Sequence, residues 1–404
     1  MKILIVHDYA ELIGGAEMGA KVLRDGLRDR GHDARIFAAK TQSEAASMAD
    51  YTCLGTVSRL RGLLQTANPW AHHQLAQVMA DFRPDVVHVR MFLTQLSPLI
   101  LPLLRKVPSI YHVVWYRPIC PTGNKMLPDG SACKWPAGAA CYQQGCLPLH
   151  DWLPLMGQMG LWRRWRSAFD RVVANSYAVK AALVADGIEP VEVIWNGVPE
   201  PDQPVAVSLA AVPTVVVAGR LTVEKGVDVL LRAIAQAGDR LPDTRLLVAG
   251  DGPELGNLRS LAGELGIAHQ VNFLGHLPHS QMEQQFAGAW VQVVPSRWAE
   301  PFGFVAPEAM MRSIPVIASG SGGLAEIVKP SETGFLVPPG DATALAEALV
   351  KVLSDRALAQ RLGKAGRARA LTHFSEQVWL DQFVSLYESL GQTEHRPALE
   401  VVGV

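Results

Sequence analysis

A chain of 404 residues is longer than one hydrophobic core usually serves, so two domains of similar size are expected. Apolar residues make up 49% and charged residues 19%, yet each apolar run breaks well short of the roughly 20 residues a membrane-spanning helix needs. A net charge of −1 lacks the basic surplus of a general nucleic-acid binder and argues against nucleic acid as a partner.

The opening Met1-Lys2-Ile3-Leu4-Ile5-Val6-His7 has a short apolar run and no small-residue cleavage site, so it reads as a first strand rather than a signal peptide, with the cytoplasm as the expected compartment. Val/Ile-rich runs at 2–7, 34–38, 85–89, 109–113 and 171–174 are predicted strands separated by helical stretches, the pattern of a parallel sheet built from strand-helix-strand units. Gly14 and Gly15 stand between the first strand and the first helix, where two glycines let the backbone turn tightly and approach a ligand. They do not form the GxGxxG dinucleotide fingerprint, which speaks against a nicotinamide dehydrogenase.

Residues 117–149 form a Pro/Gly-rich insertion carrying Cys120, Cys133, Cys141 and Cys146, with Cys53 apart. The clustering is compatible with a structural zinc, a pair of bridges, or free thiols in an ordered loop; the spacings are not the paired C-x2-C of a zinc knuckle. The stretch 161–169 interleaves Trp162, Trp165 and Phe169 with three arginines. It can rest peripherally on an anionic bilayer or belong to a helix with tryptophans buried and arginines solvated.

Domain 1–195 is expected to end at the Pro-rich linker 196–212, after which the alternation restarts. Strands are predicted at 213–218, 245–249, 270–274, 290–294, 315–318 and 334–337, a capping-box helix start at Ser280, and an amphipathic helix over 341–354. This second domain is expected over 213–374, followed by a helix over 375–392 packing back on the first domain and a tail over 393–404. Two doubly wound α/β domains in tandem leave a cleft outside the carboxyl ends of their strands.

Two loops of the second domain carry chemistry. Arg220 and Lys225, between strand 213–218 and the next helix, offer a planar fork and a point charge to a diphosphate. Glu300 and Glu308 flank Pro301-Phe302-Gly303-Phe304 ahead of a helix, where two carboxylates accept from sugar hydroxyls and free N–H groups face a phosphate or hydroxyl.

The Glu-x7-Glu pattern from Glu300 to Glu308, inside Pro-Ser-Arg-Trp-Ala-Glu-Pro-Phe-Gly-Phe-Val-Ala-Pro-Glu-Ala-Met, resembles the signature of the family 4 retaining glycosyltransferases. The likeness extends in order to Gly14-Gly15-Ala16-Glu17, Asn175-Ser176, Asn196-Gly197-Val198, Gly219-Arg220 with Lys225-Gly226, Gly250-Asp251-Gly252-Pro253 and Phe273-Leu274-Gly275. It implies the GT-B fold, two Rossmann-like domains facing an interdomain cleft that closes on the donor. It also implies transfer of a hexose from a UDP- or GDP-sugar to a saccharide or lipid-linked acceptor in polysaccharide or glycolipid synthesis, with retention and without a metal; an Asp-x-Asp motif is absent.

By the same resemblance Glu308 meets the ribose, Glu300 the hexose, and the amides around Phe302, Gly303 and Phe304 the sugar and phosphates. Arg220 and Lys225 hold the diphosphate, the base lies near 272–276 with His276, and His112 and the Gly14-Gly15 loop approach from the first domain. The chain departs from its relatives after His112, where Val113-Val114 replaces an acidic residue. The competing expectation is a non-catalytic sugar-nucleotide-binding protein of the same fold.

Overall fold

The computed structural model describes residues 1–12, 14–41, 47–58, 61–201, 208–241 and 243–391, so much of the linker and the tail expected beyond 392 lie outside the described residues. The chain divides into two compact units, one of Met1–Pro128, Cys133–Trp195 and Trp379–Val404, the other of Asp129–Ala132 and Asn196–Val378.

The first unit is built on seven parallel strands: β1 (Lys2–His7), β2 (Asp33–Lys40), β3 (Tyr51–Leu54), β4 (Val86–Val89), β5 (Ser109–Val113), β6 (Arg171–Ala174) and β7 (Val191–Val193), in the order β3-β2-β1-β4-β5-β6-β7. Central strands such as β1 and β4 are apolar runs because both faces are covered. The sequence reading missed β3 and β7. Both are short edge strands, three or four residues long, and β3 buries only Cys53. Helix α1 (Gly15–Asp29) buries Ala20, Leu23 and Leu27 on one stripe. The C-terminal helix Glu376–Gly391 adds Trp379, Leu380, Phe383 and Tyr387 to the same core.

The second unit has six parallel strands: β8 (Thr214–Ala218), β9 (Arg245–Ala249), β10 (Val271–Gly275), β11 (Val291–Val294), β12 (Val316–Ser319) and β13 (Gly334–Val337), ordered β10-β9-β8-β11-β12-β13. Helices Val227–Ala237 and Ala342–Leu353 cover one face through Leu230, Leu231, Ile234, Leu345, Leu349 and Val352. The second of them begins where Asp341 accepts from the Ala344 N–H at 2.9 Å. Helix His279–Phe286 starts one residue ahead of Ser280, directly after Pro278, so Ser280 sits in the first turn and is not the expected cap.

Each sheet reverses its winding once, between β1 and β4 in the first unit and between β8 and β11 in the second. At such points the loops leaving neighbouring strands run to opposite sides and open a crevice.

Candidate functional site

In the second unit the residues expected to carry chemistry lie on loops at the carboxyl ends of the strands flanking the switch point. Arg220 is exposed on the loop after β8, tied to the β9 loop by the Leu221 N–H donating to the Asp251 carbonyl at 2.9 Å. Lys225, on the same loop, donates from Nζ to Glu300 Oε1 at 2.7 Å and lies 5.3 Å over the Trp298 ring. Ser296 Oγ donates to that same oxygen at 2.7 Å. The Glu300 carboxylate is therefore held by two donors on one oxygen, in a residue only 6% exposed, while the Lys225 side chain keeps 25% of its surface open.

Two glycines permit this meeting of loops. Gly226 has φ +67, and a Cβ there would overlap the Pro295 carbonyl oxygen; Gly322 has φ +60, and a Cβ there would overlap the Glu300 carbonyl oxygen. Gly323 donates its N–H to that carbonyl at 2.8 Å. The run Ser319-Gly320-Ser321-Gly322-Gly323 is thus part of the site, and its glycine density directly after a predicted strand was the available signal. Ser296 and Trp298 were inside the motif yet carried no predicted role; only the folded loop shows one aimed at Glu300 and the other beneath Lys225.

Glu308 is half-buried one turn into helix Val305–Met311, its charge acting on half-buried Arg312. Phe302 is 1% exposed and packs edge-on against Phe304 at 5.3 Å, so at Phe302 the side chain serves the core and only backbone remains for a ligand. Gly303, between them, turns the chain at φ +94. His276 is exposed one residue beyond β10, and the Gly250 N–H donates to the Gly275 carbonyl at 2.8 Å, linking this edge to the β9 loop.

The first unit holds Gly14, Gly15 and His112. The glycines are exposed at the N-terminus of α1, where Glu17 reaches back to accept from the Gly14 N–H at 2.9 Å and lies 3.3 Å from His7 Nε2. Burial would raise the Glu17 carboxyl, but its hydrogen bond and charge contact with His7, with the N–H groups of Glu17 and Gly14, hold it below its ordinary value. His112 is 0% exposed, its ring 4.9 Å from Phe383 and 5.3 Å from His88, with neither ring nitrogen hydrogen-bonded. Burial, then the nearby Arg90 and His88, holds it well below its ordinary 6.5, so the ring is neutral. In this structure the His112 ring, expected to contact the sugar, has no exposed surface.

Asp8 was not singled out from sequence. Its buried carboxylate accepts the N–H groups of Thr94, Gln95 and Leu96 at 2.9, 2.7 and 3.0 Å, fastening the β1 loop to the β4 loop. In the Arg/Trp stretch Trp162 and Phe169 are buried, Trp165 is half-buried, and Arg163 and Arg164 are exposed. Trp162 is 1% exposed and donates to the Pro118 carbonyl at 2.9 Å, and Arg163 holds the Ala137 carbonyl at 2.7 Å. Trp162 and Phe169 therefore face the core, and among the described residues no helix is long and apolar enough to cross a membrane. The five cysteines are unbonded, and among the described residues no group of three His, Cys, Asp or Glu side chains is gathered closely enough to hold a metal ion.

Comparison with known proteins agrees with this arrangement. A family model described as Glycosyltransferase Family 4 matches residues 13–200, and one described as Glycosyl transferases group 1 matches residues 207–369. The chain belongs to glycosyltransferase family 4. This family 4 chain is 27% identical over 398 residues to a GDP-mannose-dependent monoacylated alpha-(1-6)-phosphatidylinositol monomannoside mannosyltransferase of Corynebacterium glutamicum, covering 96% of the chain and 97% of that relative. It is 35% identical over 198 residues to an exopolysaccharide phosphotransferase of Streptomyces coelicolor, covering 49% of the chain but only 20% of that longer relative. Sucrose-phosphate synthase from Thermosynechococcus elongatus matches in structure with a TM-score of 0.72 at 25% identity, covering 96% of this chain and 99% of that one. The fold is GT-B, shared with such neighbours.

Proposed function

We propose that the protein transfers a hexose, with retention of configuration, from a nucleoside-diphosphate sugar to a saccharide or lipid-linked acceptor. The observation that carries this reading is the Lys225–Glu300–Ser296 constellation at the switch point of the second unit. In the proposed reaction the leaving group is a nucleoside diphosphate whose developing charge needs preorganised cations and N–H dipoles. Arg220 and Lys225 supply the cations, and Glu300 accepts a hydroxyl of the hexose. Glu308 accepts from the ribose. These groups need no metal to act on a diphosphate, and the departing phosphate oxygen takes the acceptor proton. The GDP-mannose-dependent relative supports a nucleotide-sugar donor and a glycolipid acceptor as the first to try.

A panel of nucleoside diphosphates and their sugars tests this. The matching nucleotide is expected to raise the melting temperature, since a ligand at 100 times its Kd stabilises the folded state by about 2.7 kcal/mol. Labelled hexose is then expected to move to an acceptor extract with the anomeric configuration kept. The enclosure of His112 favours a second reading, a sugar-nucleotide-binding protein without turnover. Tight donor binding with neither transfer nor donor hydrolysis across acceptors would establish that reading instead.

A further inference from the structure

Between Cys120 and Leu147 the chain has little core of its own. Among residues 121–146 only Pro121, Gly123 and Ala137 are buried, and regular structure is limited to Ala140–Gln143. Ordering a residue costs about 1–2 kcal/mol of backbone entropy, which so small an apolar area does not offset. Small segments of this kind are ordinarily held by a cross-link or a metal.

Cys120, Cys133, Cys141 and Cys146, spread over 27 residues of this insertion, all line one cavity of about 20 Å³, together with Met126 and Trp135. That space suits one small ion or a water. Backbone bonds fix the cysteine-bearing strands of the loop around it: the Cys133 N–H donates to the Lys125 carbonyl at 2.8 Å, and the Leu147 N–H to the Cys141 carbonyl at 3.0 Å. The Lys125 ammonium donates at 2.8 Å to the carbonyl of Trp135, itself a lining residue, which brings a positive charge close behind the cavity.

We propose that Cys120, Cys133, Cys141 and Cys146 form a structural site for one zinc ion that staples this loop. Four sulfurs with no carboxylate or imidazole among the lining residues make a soft ligand set, which selects zinc over hard cations; Thr122, whose hydroxyl lies 3.1 Å from Cys120 Sγ, and Gln144 are the neutral polar side chains beside them, and four thiolates would close a structural rather than a catalytic site. Each thiol gives up its proton on ligation, and the resulting excess negative charge is met in part by Lys125. No three of these side chains are yet gathered closely enough to hold an ion, so ligation requires the loop to draw its thiols inward. This site is independent of the transferase reading: its loss would loosen the loop whether or not the protein transfers sugar.

The full chain, expressed with zinc supplied and purified under reducing, chelator-free conditions, is expected to carry about one zinc per chain by mass spectrometry. Treatment with p-hydroxymercuribenzoate should release it, as read with a zinc dye, and chelation should lower the melting temperature. Cobalt exchange should give the visible bands of a tetrahedral tetrathiolate. Cys133→Ser and Cys146→Ser should each cut metal content at least tenfold, and Cys53→Ser should leave it unchanged. If the ligand variants fail to fold, wild-type stoichiometry and the cobalt spectrum still decide. Five thiols free in the denatured protein with no metal bound would overturn the proposal. So would a single free thiol with four locked in disulfides, or iron with sulfide in place of zinc.

Discussion

The two units solve one topological problem with opposite use of charge. In the first, the switch-point loops turn their ionisable groups inward: Asp8 binds three backbone N–H groups, Glu17 serves Gly14 and His7, and Arg90 is 1% exposed beneath Trp379. In the second, Arg220 is exposed and Lys225 is open over a quarter of its side chain, with Glu300 steadied behind it. The same doubly wound sheet thus spends carboxylates on loop architecture in one case and keeps cations available to a ligand in the other. Fold alone does not say which loops do chemistry; the exposure of their charges does.

Breaking the second unit's arrangement should have the largest effect. Glu300→Ala removes the acceptor of both Lys225 and Ser296, and transfer is expected to fall by about 3–4 kcal/mol in kcat/KM, the scale of one preorganised electrostatic group. Lys225→Ala should lower kcat chiefly, with a smaller change in donor affinity. Steady-state kinetics at varied donor would show the split, and normal kinetics in both variants would remove the site from the β8 and β11 loops.

The corresponding change in the first unit should register as stability. Asp8→Ala leaves three N–H groups of residues that are at most 4% exposed without an acceptor. At about 1–3 kcal/mol for each buried unpaired group, a loss of about 3 kcal/mol or more is expected in urea unfolding. Nucleotide affinity of the folded protein should stay close to wild type, and a selective loss of affinity would give Asp8 a role in binding.

The strand-helix alternation made the fold class legible, because apolar runs such as 2–7 and 245–249 are buried on both faces and leave an uninterrupted signature. What stayed hidden was whatever depends on strand order. Ser296 lies four residues from Glu300 in sequence, but Lys225 is 75 away, and they meet only because β8 and β11 are neighbours. Edge strands β3 and β7 were too short to carry a period. The interior position of His112 escaped because a histidine inside Ser109-Ile110-Tyr111-His112-Val113 reads alike whether it points to a ligand or to a helix from the far end of the chain.

Between these extremes, Ser296→Ala keeps the Lys225–Glu300 pair but deletes one of two donors to Oε1. A hydrogen bond to a charged group is worth about 1.5–3 kcal/mol, so a drop in kcat/KM near the lower end is expected, with thermal stability nearly unchanged. Rescue by Ser296→Thr, which restores a hydroxyl, would separate positioning of Glu300 from a general loosening of the loop.

His112 should give the smallest effect on transfer and the clearest distinction between the units. Its ring packs among His88, Trp379 and Phe383, so a phenyl ring in its place retains the contacts and removes two unpaired nitrogens. His112→Phe is therefore expected to keep kcat/KM within about one order of magnitude, or 1.4 kcal/mol. It should also change the pH dependence of stability. The folded protein holds this imidazole neutral well below 6.5, whereas the unfolded chain takes up the proton near that pH. Stability from the neutral ring is therefore present above 6.5 and lost as the pH falls below it, and the substitution should flatten that slope by about one proton. His88, held neutral in the same way by burial and then by Arg90, would leave its own contribution in place. Loss of transfer in His112→Phe at unchanged melting temperature would restore the sugar-contacting role and show that the second unit's open charges do not act alone.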